Sequence, residues 1–222
     1  MKILITEITI MRSDMLCLAG WEAESRRMVR PLPNRRHWDA AYVDKLGILI
    51  GDVISIVPNG AARRPYPHKT EDVPIDPFRL QIVSRSFANW MGSSAPPVSE
   101  SIIVAFGHQS VWKAQFNGAQ KGYVPPGSRC ASLIGIAVLR GAICLEEFAY
   151  NGRTQLVSII DTPQGRVRLP VTARNLRDAW NAGGVGAAHR ALPDKDRFHV
   201  RIGLANPFGE PETCAMMLNG VL

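Results

Sequence analysis

Short apolar runs separated by turn-forming residues are the feature that most constrains the fold of this chain. In the first part of the chain they read KILITEITI, MLCLAGW, RRMVRPLP, GDVISIVP and FRLQIV. In the last part they read ASLIGIAVLR, ICLEEFAY, TQLVSIID, RVRLPVT, RFHVRIGLANPF and CAMMLNGVL. None approaches the roughly 18–20 residues that a membrane-spanning helix needs. Their spacing and their content of Val, Ile and Leu predict mainly β structure made of short strands.

The distribution of these runs divides the 222 residues into three parts. Five short strands within the first part fit a small closed barrel, and a similar series returns after an irregular middle. We therefore predict a first barrel over residues 1–88, an irregular and partly helical connector over 89–128, and a second barrel over 129–222. The second barrel also contains one helix, expected over residues 173–191 and ended by Gly183 and Gly184.

Two further local patterns make specific predictions. The dipeptide Asn151-Gly152 lies between two strand-like runs and is the strongest hairpin signal in the chain. Residues 58–78 are rich in proline and lack periodicity, which predicts a long ordered loop.

The charge balance gives the first indication of function. The chain has 26 Lys and Arg residues against 19 Asp and Glu, a net charge of +7, and 20 of the cations are Arg. A basic chain often binds a polyanion, because phosphate contacts supply most of the affinity for nucleic acids. A mildly basic soluble protein from a GC-rich genome has the same composition, so composition leaves both interpretations open.

The cysteines and the N-terminus indicate a cellular location. The four cysteines are far apart and form no CxxC pair, which predicts reduced thiols and no zinc site. Glu7 interrupts the N-terminal apolar run and no small-residue cleavage site follows, so the segment is typical of a strand and not of a signal peptide. We expect a cytoplasmic protein that does not engage a membrane.

An arginine-rich segment flanked by tryptophans is the best local signal for a binding site. Its expected nucleic-acid-binding residues are Trp21, Arg26, Arg27, Arg30, Arg35, Arg36 and Trp38. Arginines can bind phosphates while aromatic rings stack on bases, at about 1–3 kcal/mol for each base. The alternative is a solvated basic edge on which Trp38 closes the barrel.

A second basic row supplies two more candidates, Arg166 and Arg168. Residues two apart on a strand face the same side, so both side chains would extend the nucleic-acid-binding surface. The alternative is ordinary alternation, in which Val167 and Leu169 form the buried face.

The segment containing His68, Glu71 and Asp72 has the residue types of a divalent-metal site. The ligand set is incomplete, so we predict a structural role for these residues and expect no metal and no cofactor. The sequence contains no GxSxG, HExxH, Walker-type loop or GxGxxG, and we assign no catalytic residue.

Several motifs occur in an order that resembles a known family. They are ILITEITI, LCLAGWE, RMVRPLP, GDVISIV, HKTED and VRIGLANPF with MMLNGVL. The chain resembles the bacterial dual OB-domain proteins, and the resemblance implies two OB-fold barrels and nucleic-acid binding, with no established catalytic residues. Relatives read SLGEPF followed by a Tyr-Lys pair. In this chain Ala205-Asn206 stand where the relatives have Gly-Glu, and Ala215-Met216 stand where they have the Tyr-Lys pair.

We therefore predict a non-enzymatic protein that binds single-stranded or structured RNA or DNA through arginine–phosphate contacts and tryptophan stacking. Two alternatives remain at this point. One is a metal-assisted enzyme acting on nucleic acid or nucleotides through the loop of His68, Glu71 and Asp72. The other is an adaptor whose barrels bind a protein partner.

Overall fold

The chain folds into two compact units, Met1–Pro97 and Val98–Leu222. The computed structural model describes residues 1–11, 14–33, 36–61, 64–85, 96–107, 109–115, 118–150, 152–163 and 165–222. Each unit is built on a curled half-barrel sheet, which confirms the predicted mainly β fold with two small barrels. The division falls inside the expected connector. Residues 98–128, however, contribute a helix and two strands to the second unit and do not form a separate segment.

The first unit contains seven strands and one α-helix among its described residues. They are β1 (Lys2–Ile10), β2 (Met15–Glu22), β3 (Arg27–Pro33), β4 (Trp38–Asp39), α1 (Ala40–Leu46), β5 (Val53–Ser55), β6 (Asp72–Ile75) and β7 (Gln81–Ser84). The sheet order is β6-β3-β2-β1-β5-β7, and β4 pairs with β2. Strands β1, β2 and β3 are antiparallel, whereas β3 pairs with β6 in parallel.

A β-bulge in β1 decides which side chains face the core of the first unit. The register with β2 shifts between Ile5 and Glu7, so Ile5 and Ile8 both reach the core although three positions separate them. The shift also turns Glu7 to the opposite face, where it is fully buried.

Three elements of the first unit were not predicted: the two-residue strand β4, strand β6 and helix α1. Strand β6 lies within the expected proline-rich loop; its Pro74 is tolerated because β6 is at the edge of the sheet, where a missing backbone donor breaks no ladder. Helix α1 was missed although its signals are present. The side chain of Asp39 caps the helix by accepting from the Tyr42 N–H, and Gly47 ends it at a φ of 64°.

The second unit contains eight strands and two α-helices among its described residues. They are α2 (Ile102–Phe106), β8 (Val111–Ala114), β9 (Gln120–Val124), β10 (Leu133–Leu139), β11 (Ile143–Tyr150), β12 (Arg153–Thr162), β13 (Gly165–Pro170), α3 (Arg174–Arg190), β14 (Arg197–Leu204) and β15 (Cys214–Val221). The order is β10-β14-β15-β9-β13-β12-β11, and β8 pairs with β9.

Both units follow one plan. In the first, β1, β2 and β3 form a meander, a helix follows, β5 returns to β1 and β6 runs parallel to β3. In the second, β11, β12 and β13 form the meander, α3 follows, and β14 pairs with β10, which directly precedes β11. Leu218 of β15 forms a parallel β-bridge with Val171, the residue that directly follows β13. The β8–β9 hairpin is an addition, because β9 inserts between β13 and β15.

The local predictions for the second unit have different outcomes. Strands β11 and β12 pair through Tyr150 and Arg153, as the Asn-Gly hairpin signal predicts; Asn151 itself lies outside the described residues. The predicted helix over 173–191 is present as α3. The first helical segment ends at Gly183 and Gly184, as predicted, because the backbone of both residues is non-helical; a second helical segment follows the kink and runs to Arg190. Within the described ranges, no helix has the length and apolar character required to span a bilayer.

Candidate nucleic-acid interface

The arginine-rich segment of the first unit is divided between the surface and the interior. Arg26, Arg27 and Arg36 are exposed, whereas Arg30 is only 4% exposed. Arg35 lies outside the described residues. Among the described residues, the exposed arginines of the predicted site are therefore confined to the β2–β3 turn and the segment after β3.

Both tryptophans of this segment are buried. Trp38 is 1% exposed, donates its indole N–H to the Pro31 carbonyl at 2.8 Å and stacks on Tyr42 with a centroid separation of 6.2 Å. Trp21 is 7% exposed. A ring buried to this extent offers no face to a base, so the geometry does not support the stacking role predicted for these residues.

Arg30 belongs to a buried ion-pair network. Its Nη1 donates to Oδ1 of Asp72 at 2.6 Å and lies 3.3 Å from Nδ1 of His68. Nε of Arg64 approaches Oδ2 of Asp72 at 3.4 Å. Strand pairing explains the arrangement, because Arg30 and Asp72 are directly opposite each other in the parallel β3–β6 ladder. The network binds the proline-rich loop to the sheet.

The same contacts surround His68, Glu71 and Asp72, the three residues whose types match a divalent-metal site. His68, Glu71 and Asp72 are each no more than 4% exposed. Asp72 is engaged by two guanidinium groups, and Glu71 accepts the Arg30 backbone N–H through its own backbone carbonyl at 2.7 Å. Within the described ranges, no group of three or more His, Cys, Asp and Glu side chains is arranged to hold a metal ion.

The tip of the β2–β3 hairpin carries Arg26 and Arg27. Arg26 adopts a positive φ of 52°, and Arg27 donates to the Ser25 hydroxyl at 3.1 Å. Glu22 accepts hydrogen bonds from the Ser25 side chain and from the backbone of Ser25 and Glu24, which lowers the pKa of its carboxyl group. This carboxylate orders the turn, and the two arginines project from it into solvent.

The second predicted row, Arg166 and Arg168, lies on β13 as expected. Val167 and Leu169 face the core, so both arginines lie on the opposite face of the sheet. Their surroundings differ. Arg166 is exposed and forms a surface ion pair with Asp161 at 3.0 Å, which neutralises its charge at little gain in stability.

Arg168 is held by an aromatic ring and an amide. Its guanidinium carbon lies 4.0 Å from the centroid of the Phe148 ring, and its Nη2 donates to the Gln115 side chain at 2.6 Å. Burial lowers the pKa of Arg168, and nearby Tyr123 opposes this effect. A guanidinium group remains charged at neutral pH, and no carboxylate in the described part of the chain pairs with this one.

Tyr123, Lys113 and Lys121 were not predicted as site residues. Lys121 and Tyr123 fall within the predicted irregular connector over residues 89–128, but they lie on β9, two residues apart and on one face. Lys113 lies opposite Lys121 on β8. Both ammonium groups lie 5.2 Å from the centroid of the Tyr123 ring. The alternation Lys-Gly-Tyr-Val in residues 121–124 is a strand signal that could have revealed this group.

These side chains form one surface because β9 and β13 are neighbouring parallel strands. We call it the cationic–aromatic face, and it consists of Lys113, Gln115, Lys121, Tyr123, Phe148 and Arg168. Gly122 and Val124 alternate with Lys121 and Tyr123 and are buried on the other side of the strand. The face combines three cations with two aromatic rings, and none of the three is ion-paired among the described residues.

Comparison with known proteins finds no matching protein-family model and no significant match among curated proteins.

Proposed function

We propose that the protein is a non-enzymatic nucleic-acid-binding protein and that the cationic–aromatic face of its second unit binds a single strand. The observation that carries the proposal is the Tyr123 ring with an ammonium group on each of two neighbouring strands, both 5.2 Å from its centroid. A ring that stacks a base and cations that bind the adjoining phosphates are the two elements of single-strand binding.

The geometry suggests how a base replaces the two lysine ammonium groups over the Tyr123 ring. In the unbound protein, the ammonium groups of Lys113 and Lys121 interact with the ring of Tyr123, within the range of cation–π attraction. A stacked base takes the place of the ammonium groups over the ring. The flexible lysine side chains then reach the phosphates on either side of that nucleotide, so the cations keep a favourable partner throughout.

Arg168 contributes a fixed positive charge beside this position. Its contacts with Phe148 and Gln115 restrict the guanidinium group, so little conformational entropy is lost when a ligand binds. Because β9 and β13 are adjacent, this charge lies next to the Lys121 strand. Arg168 is only 8% exposed, so it would act on a single strand over Tyr123 through its charge, while Lys113 and Lys121 contact the phosphates.

The shared plan of the two units supports an OB-type assignment as part of this proposal. A three-stranded meander, a helix and a parallel pairing of the third strand with a strand that follows the helix are elements of a five-stranded Greek-key barrel. Arg26, Arg27 and Arg36 add exposed charge in the first unit.

The proposal is tested by fluorescence anisotropy with labelled single-stranded RNA and DNA at several salt concentrations. Tyr123→Ala should reduce affinity by about 1–3 kcal/mol while leaving the salt dependence nearly unchanged. Replacing Lys113 and Lys121 together by Gln should flatten the slope of log affinity against log salt by about 1.4, because each phosphate contact contributes about 0.7.

A charge-matched control is Lys45→Gln with Lys69→Gln in the first unit, where both lysines are exposed. This double variant removes the same charge and should retain most of the slope. Equal flattening in the two double variants would show that the effect is general electrostatics. An absence of salt-sensitive binding by the folded wild-type protein would contradict the proposal and favour the adaptor alternative.

A further inference from the structure

We propose that Phe208 is a second base-stacking residue of the second unit, so that one single strand is bound at two rings, Tyr123 and Phe208. The inference rests on the function proposed for the cationic–aromatic face and adds to that interface a residue from a different hairpin. Phe208 is the last residue of the motif VRIGLANPF, in the connection between β14 and β15.

Phe208 presents an exposed ring on a backbone that the sheet holds in place. Its side chain is 49% exposed. Its backbone N–H donates to the Thr213 carbonyl at 3.1 Å, and its carbonyl accepts from the Thr213 N–H at 3.0 Å, which makes the two residues an antiparallel bridge. The ring can therefore stack on a base without first ordering its own backbone, which lowers the entropic cost of binding.

Strand pairing places Phe208 on the same side of the sheet as Tyr123. Ala215 of β15 is directly opposite Tyr123 of β9, and the residues on either side of Ala215 enter the core. Residues two apart on a strand share a face, and so do residues directly opposite each other in a ladder. The series Tyr123, Ala215, Thr213 and Phe208 therefore lies on one face, the one that carries the proposed binding site.

The separation of the two rings sets the length of strand that reaches both. The path from Tyr123 to Phe208 crosses two pairs of strands, at about 4.8 Å each, and runs two residues along β15, about 6.7 Å. The backbone positions of the two residues are thus roughly 12 Å apart. Neighbouring nucleotides of a stacked strand are separated by about 3.4 Å. The rings therefore hold two bases that are not adjacent, and a dinucleotide is too short to occupy both.

The Phe208 end of this path offers an aromatic ring without a cation. Residues 205–213 contain no Lys or Arg, and their two carboxylates, Glu210 and Glu212, are exposed. A phosphate gains nothing from these neighbours, so Phe208 acts on the base alone. The phosphate contacts remain at Lys113 and Lys121, beside Tyr123. Loss of the Phe208 ring should consequently weaken binding without changing its salt dependence.

The test compares two lengths of ligand on the full-length protein. Unlabelled oligothymidylates of two and eight nucleotides compete with a labelled single strand in fluorescence anisotropy. We expect Phe208→Ala to weaken binding of the eight-nucleotide strand by about 5- to 150-fold, the effect of one stacked base. The same variant should bind the dinucleotide as the wild type does. Tyr123→Ala should weaken binding of both lengths, because the cations hold the short ligand beside Tyr123.

Three variants serve as controls. Phe208→Trp keeps a ring and should retain the affinity of the wild type, whereas Phe208→Leu keeps only an apolar side chain and should lose as much as Phe208→Ala. Phe78→Ala removes an exposed phenylalanine of the first unit, which is 86% exposed, and should change neither affinity.

The outcomes separate this inference from the function on which it rests. If Tyr123→Ala weakens binding while Phe208→Ala binds the eight-nucleotide strand like the wild type, the second stacking position is refuted and the proposed function stands. An equal loss for both lengths in Phe208→Ala, or an equal loss in Phe78→Ala, also refutes it. If the folded wild-type protein binds neither length, the proposed function fails and this inference fails with it.

Discussion

Two arginines occupy the same position in the two units and have opposite surroundings. Arg30 follows Val29 on β3, and Arg168 follows Val167 on β13, each on the third strand of a meander and on the face away from the core. Arg30 is neutralised by Asp72, whereas Arg168 lies on Phe148 and donates to an amide. The same residue on the same strand is thus part of an ion-pair network in one unit and a source of positive charge in the other.

The difference follows from what each unit places beside the third strand. In the first unit the neighbour is β6, which brings a carboxylate into direct register with Arg30. In the second unit the inserted strand β9 occupies that place and brings Lys121 and Tyr123. An added hairpin therefore changes the chemistry of a shared position.

Removal of the two arginine side chains gives the largest expected contrast. Arg30→Met leaves the buried Asp72 without its shortest ion pair, and we expect a loss of about 3–5 kcal/mol in the free energy of unfolding. Arg168→Met leaves no buried carboxylate unpaired and replaces the guanidinium contact with Phe148 by a methionine side chain, whose sulfur packs well on aromatic rings, so we expect a loss of about 1 kcal/mol or less. Denaturant unfolding measures both, and equal losses would refute the comparison.

A double variant sharpens this result. Replacing Arg30 by Met and Asp72 by Leu removes the buried pair as a whole, which is often close to neutral in stability. We expect the double variant to recover part of the stability lost in Arg30→Met. A further loss would show that Arg64 and His68 depend on Asp72 as strongly as Arg30 does.

Two glycines provide the next contrast. A Cβ on Gly20 would collide with the backbone carbonyl of Leu4 in the neighbouring strand, whereas one on Gly122 would collide with the sulfur of Met216 and the Trp112 ring. Overpacking typically costs about 1–3 kcal/mol. Gly20→Ala should reach the upper end of this range, because the backbone cannot move aside. Gly122→Ala should remain near the lower end, since methionine is flexible. Thermal unfolding gives the order, and the reverse order would contradict this explanation.

The smallest expected effect is on the loss of folding stability at alkaline pH. Burial raises the pKa of Cys214 to about 11, and Cys130 and Glu212 add to the shift. Burial also raises the pKa of Cys17, but Arg30 opposes it there. A thiol with a raised folded-state pKa stabilises the folded protein fully below its unfolded value of 9.0, and this contribution is lost as the pH rises through about 11.

Cys214→Ala should therefore flatten the decline in stability between pH 9 and pH 11 relative to the wild type. The measurement is the free energy of unfolding across that interval. Cys144→Ala is the comparison: burial also raises the pKa of this thiol, but Cys144 is exposed, so its removal should flatten the decline less than Cys214→Ala does. An identical decline in both variants would assign the alkaline sensitivity to other groups.

Much of the fold could be predicted because strand and hairpin signals are local. The alternation of Phe198, Val200 and Ile202 predicted β14, and the three side chains are fully buried. Strand β6 could not be recognised from its own residues, because it contains a proline and exists through its pairing with β3. Gly183 and Gly184 predicted the break in α3, but not the second helical segment that follows the kink.

The sequence by itself determined that the chain forms short strands, places two similar series of them in succession and carries a net charge of +7. Only the tertiary structure decided which charges reach solvent and which lie against a partner. Arg30 and Arg26 are both arginines of one short segment, yet one is paired with a residue 42 positions away and the other projects from a turn. Periodicity records which face of a strand a residue occupies, but the partner on that face comes from a distant part of the chain.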